Sequence, residues 1–76
     1  MMNDSENKML DMMSKSLLLT KGEIISRMEK EGVNSSGANI SLGKLVDMGY
    51  VEKIESMGIC YAVTQAGIRT KNGEKK

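Results

Sequence analysis

Histidine, phenylalanine, tryptophan and proline are all missing from this 76-residue sequence, and cysteine occurs once. Each absence removes a class of function. Without histidine, the usual general base near neutral pH is gone. Cys60 has no candidate base beside it and lies in an apolar stretch that reads as a strand. It is therefore read as a small buried hydrophobe and not as a nucleophile. A single cysteine excludes an intramolecular disulfide. With no histidine beside it, no Cys/His set exists for zinc or iron. The glycines are scattered, so there is no glycine-rich phosphate loop. Carboxylates alone could catalyse, but so short a chain offers little pocket volume. The expectation is a protein that is not an enzyme and carries no cofactor.

Long apolar runs are missing too. The longest, residues 59–63, falls far below the ~20 residues a membrane span requires. The N-terminus, MMNDSENK, is acidic where a secretory signal would be basic. Both features point to a cytoplasmic setting with no membrane partner.

Methionine is abundant instead, at positions 1, 2, 9, 12, 13, 28, 48 and 57. It packs adaptably but specifies a fold less sharply than aromatic residues do. A methionine-filled core is expected ahead of a methionine-rich binding surface. A chain of this length makes one domain and buries only about 60% of the surface its unfolded form exposes. A partner subunit would help so thin a core. The net charge of +1 is unevenly spread. Residues 69–76 hold Arg69, Lys71, Lys75 and Lys76 against Glu74, while residues 1–68 hold seven basic and nine acidic side chains. A slightly acidic body argues against strong non-specific DNA binding, which rests on phosphate neutralisation. The basic tail reads as solvated disorder, with contact to phosphates as the alternative.

Read in order, residues 1–5 are polar and expected to fray. From Glu6 to about Ser16, Met9, Leu10, Met12, Met13 and then Leu17 make a helical stripe. Residues 17–19 read as a stub of strand that pairs with a later hairpin. Thr20 and Glu23 form a capping box. The helix they open carries Ile24, Ile25 and Met28 inward and stops at Gly32. Val33 and Asn34 form a turn, and Asn34 or Ser35 caps a third helix. Along that helix, at about 100° per residue, Ala38, Leu42 and Leu45 share one arc with Val46 at its edge. Ser36, Ile40, Gly43 and Asp47 fall opposite, flanked by Asn39 and Lys44, and Gly49 ends the helix. Residues 50–54 and 59–63 alternate as two antiparallel strands, with Gly58 supplying the turn. Residues 64–67 could cap a last helical turn. The expected fold is α+β: a winged helix-turn-helix with a three-helix bundle and a β-hairpin wing over residues 6–68, between a flexible residues 1–5 and a flexible basic tail, 69–76.

A short helix packed through three apolar residues and followed at once by a hairpin suits entry into the major groove of double-stranded DNA. Its N-terminal half would lie closest to the bases. Asn39 offers the donor and acceptor that match adenine. Ser35 and Ser36 sit where a base or phosphate contact is within reach, near a helix N-terminus that attracts phosphate, or they serve as caps only. Ile40 suits a thymine methyl or, equally, a protein partner. Gly43 lets the backbone approach closely. Lys21, Lys44 and Lys53 are placed for phosphates, with plain solvated charge as the alternative. A second reading is a winged-helix adaptor that binds protein, favoured by the acidic body and by Ile40.

Three segments carry a family likeness. Residues 45–51, LVDMGYV, resemble the L-x-x-x-G-[LY]-V pattern of bacterial winged-helix transcription regulators. Residues 61–67, YAVTQAG, resemble the Y-x-[LV]-T-x-x-G segment of the MarR and PadR families. Residues 19–25, LTKGEII, resemble the entry into their second helix. In size the chain is closer to stand-alone winged-helix regulators of fimbrial operons and to small phage or plasmid regulators. The resemblance implies sequence-specific DNA binding and control of transcription. Two half-sites one helical turn apart would then be bridged by a homodimer or a partner regulator.

Overall fold

Short polar side chains fix where the helices of this protein begin. The computed structural model describes residues 3–16, 18–56 and 58–71. At the first helix, the Glu6 amide donates to Asn3 Oδ1 at 2.8 Å, and the Asn3 amide donates to Glu6 Oε1 at 3.1 Å. This reciprocal box starts α1 (Asp4–Ser14) two residues before the expected Glu6, so residues 3–5 belong to a capped first turn. It also explains how a carboxylate such as Glu6 can be buried. Met9, Leu10 and Met13 are buried along α1, and Met12 is half-buried. The last member of the expected stripe, Leu17, lies outside the described residues.

β1 (Leu19–Thr20) leads directly into α2 (Lys21–Lys30). Leu18, expected in the same strand, stands outside it and is exposed. Thr20 and Glu23 form the expected capping box. Ile24 and Met28 are buried and Ile25 is half-buried. α3 (Ser35–Asp47) follows after a four-residue connection, 31–34. Both helices stop in the same way. Gly32 (φ 90°) and Gly49 (φ 81°) take left-handed backbone that a side chain would disfavour. The next amides, of Val33 and Tyr50, then reach back to the carbonyls of Met28 and Leu45 at 2.9 and 3.0 Å.

β2 (Val51–Ile54) and β3 (Cys60–Val63) form the expected hairpin, each one residue shorter than the alternation suggests. The sheet is antiparallel in the order β1-β3-β2, with Leu19 opposite Tyr61, and Val51 opposite Val63. Leu19, Tyr61 and Val51 thereby share the face that is buried. They complete a core of Met9, Leu10, Met13, Ile24, Met28, Ala38, Leu42 and Leu45. Methionine fills this interior as expected, although Met48 is exposed. Met1, Met2 and Met57 lie outside the described residues.

α4 (Gln65–Lys71) is longer than the single turn expected, and it takes in Arg69 and Lys71. The first part of the expected flexible tail is therefore helical; the tail beyond Lys71 lies outside the described residues. Thr64 anchors this helix. Its hydroxyl accepts from the Gly67 amide at 3.1 Å and donates to the Gly49 carbonyl at 2.7 Å, and its amide donates to the Tyr50 carbonyl. Gly67 sits so close that a Cβ there would overlap the Tyr50 carbonyl oxygen. The described residues thus form a small α+β fold of four helices and a three-stranded antiparallel sheet, an element order compatible with a winged helix. No helix among them is long and apolar enough to cross a membrane.

Candidate nucleic-acid interface

α3 packs against both α1 and α2. Two neighbours widen its buried arc beyond what one would require. That arc holds Ser41 as well as Ala38, Leu42 and Leu45. The opposite side remains uncovered. Ser35, Ser36, Asn39, Ile40, Gly43 and Lys44 are all exposed, and so is Asp47. Ile40 is 62% exposed, the highest value among the large apolar residues described. No described part of the chain folds over Asn39 or Ile40.

Helix capping separates Asn34 from the two serines. The Gly37 amide donates to Asn34 Oδ1 at 2.8 Å, so Asn34 is the N-cap. Ser35 and Ser36 are the first two helical residues, with exposed side chains and no capping task. A Cβ on Gly37 would lie 3.3 Å from Asn34 Oδ1, tighter than most such contacts, so the small residue there helps the cap to close.

Four of the eight candidate residues line one open cavity of about 220 Å³. These are Lys21 from the start of α2, Asn39 and Gly43 from α3, and Lys53 from β2. Leu42, Val46, Asp47 and Tyr61 complete it. Asn39, Gly43 and Asp47 belong there because spacing of four stacks them along one row of α3. Tyr61 and Lys53 belong there because the sheet register sets them opposite each other. The row is legible in the sequence, where periodicity alone does not distinguish Asp47 from the other members of the outer arc. The contribution of Tyr61 depends on register, which periodicity alone does not fix.

Lys44 stands apart. It borders a different cavity, of about 280 Å³, with Asn3, Glu6, Asp47 and Met48, beside the start of α1. Ser35, Ser36 and Ile40 line neither cavity and lie on open surface. The cations do not form one continuous strip. Lys53 pairs with Glu55 at 3.2 Å, both exposed, and Asp47 borders both cavities. Exposed pairs of this kind contribute little energy and exchange partners readily. Arg27 is engaged on another side, where its guanidinium donates to Ser16 Oγ at 3.2 Å.

Gly43 has no packing reason to be glycine. A Cβ built on it would meet nothing within 4 Å. Glycine inside a helix costs about 0.5–1 kcal/mol relative to alanine. A bare backbone in the middle of an exposed face is what a close-approaching partner would require. Among the described residues no group of three His, Cys, Asp or Glu side chains could hold a metal ion. Cys60 is half-buried within β3.

No family model matches this sequence, and neither the curated proteins nor the solved structures gave a match.

Proposed function

We propose that this chain is a winged helix-turn-helix regulator of transcription that binds double-stranded DNA in the cytoplasm, with α3 in the major groove. The observation that carries the reading is the uncovered face of α3 together with what borders it. Asn39 and Gly43 share a cavity with Lys21 and Lys53, which come from two other elements. Lysines beside the exposed face of a helix suit contact with the phosphates that flank a groove. The hairpin of β2 and β3 serves as the wing. Ser35 and Ser36, free of capping, lie at the end of α3 that would enter first. Lys44 supplies a further phosphate contact nearer the C-terminal end. So few cations give modest affinity, which a homodimer or a partner regulator on two half-sites would raise.

A band-shift series at rising salt tests this reading. Three phosphate-contacting lysines per protomer predict a slope of about −2 to −3 in log affinity against log salt. A flat dependence, or equal binding to every duplex, overturns specific readout.

One observation favours the second reading, an adaptor that binds protein. The acidic groups Asp47 and Glu55 blunt the charge of Lys21 and Lys53, while Ile40 stands exposed on open surface. Paired variants distinguish the two. Asn39→Ala should weaken binding of a selected duplex by about 1–3 kcal/mol if α3 reads adenine. An adaptor would tolerate Asn39→Ala and lose its partner with Ile40→Asp.

A further inference from the structure

The leading half of the exposed face of α3 lacks the groups that read guanine. Guanine presents two acceptors in the major groove, O6 and N7, and is read by arginine or lysine. α3 carries no arginine, and Lys44, its one lysine, sits ten residues into the helix beside Asn3 and Glu6. Cytosine offers an amino donor that a carboxylate accepts. Asp47, the one carboxylate of α3, is its last residue, about 12 Å along the axis from Asn39 at 1.5 Å per residue. What the leading half of the face does hold matches an A·T pair from both sides. Asn39 carries a donor and an acceptor, as the adenine edge does. Ile40 holds a branched apolar group out in solvent, at 62% exposure. The one apolar group on the major-groove edge of any base pair is the thymine methyl. Gly43 lies one turn further on, adding no Cβ that would hold this part of the helix away from the bases.

We infer that the operator is A·T at the positions under α3, with Asn39 bonding adenine and Ile40 lying on thymine C5-methyl groups. The inference rests on the DNA-binding reading and deepens it by naming the base pairs selected. The test uses the full chain and a pool of duplexes with about 20 randomised base pairs, taken through rounds of binding and amplification. Retained duplexes should share a short A·T core. Uracil in place of thymine in that core removes only the methyl group. It should weaken wild-type binding about three- to fourfold for each methyl contacted, the equivalent of one buried methyl. Ile40→Ala should bind more weakly and lose sensitivity to uracil, while its thermal melting stays unchanged because the side chain is exposed. A retained G·C core, or equal wild-type affinity for thymine and uracil duplexes, overturns the inference and leaves DNA binding standing. Failure to retain any duplex overturns both.

Discussion

Two glycines mark the difference between packing and function at the scale of single residues. Gly67 is buried, and a methyl group there would run into the Tyr50 carbonyl and come within 2.8 Å of Val63 Cγ2. Neither neighbour is the end of a flexible chain. Gly67→Ala should destabilise the protein by about 2–3 kcal/mol, roughly 10–20 °C in Tm for a domain this small. Gly43 meets nothing, so Gly43→Ala should raise Tm by a few degrees, from about 0.5–1 kcal/mol of added stability. The same change should weaken DNA binding if the helix backbone approaches the bases. Calorimetry and duplex titration on both variants check this; a Gly43→Ala protein with unaltered affinity removes Gly43 from the interface. The sequence shows Gly43 on the outer arc, since its place follows from periodicity. It does not distinguish the buried Gly67 from an exposed turn glycine, because the contact with Tyr50 exists only once α4 docks.

Among the elements, helix ends are the most legible part of the chain and also where structure and sequence pattern differ most. Thr20 and Glu23 announce α2 by spacing and residue type alone. Asn3 and Glu6 have the same spacing, but within a polar lead-in that reads as frayed. Burial of Met9 and Leu10 two turns on makes that lead-in worth ordering. α4 is longer than its sequence suggests for a related reason: little in residues 65–71 is apolar, and its place depends on Thr64 bridging to Gly49. For α3, two cap candidates could not be separated by type. The geometry predicts that Asn34→Ala costs about 1 kcal/mol, or roughly 4–8 °C in Tm, while Ser35→Ala costs little. Thermal unfolding followed by circular dichroism checks the pair; equal losses would mean the cap is shared. The three segments read from sequence as a winged-helix likeness do structural tasks here. Leu19, Leu45, Val51 and Tyr61 are core, Gly49 stops α3, and Thr64 with Gly67 seats α4. These motifs therefore speak for the architecture. The residues proposed to read DNA lie between them, at Ser35, Ser36, Asn39, Ile40 and Gly43, where periodicity reports exposure but not purpose.

At the scale of the whole molecule, a domain of 35 × 30 × 20 Å is held, among the described residues, by eleven buried apolar side chains, three of them methionine. Its charge was legible as a sum and as an acidic body, but not as a surface. Only the folded chain brings Lys21 and Lys53 to one cavity and sets Lys44 beside another. The central claim is that the uncovered side of α3 is where DNA docks. It is tested most directly by titrating ¹⁵N-labelled protein with a duplex retained from the randomised pool and following every backbone amide. The account predicts the largest shifts at residues 35–44, with smaller ones at Lys21 and Lys53 and little change along residues 8–14 of α1. Shifts centred on α1 or on the sheet, with residues 35–44 unmoved, would contradict it.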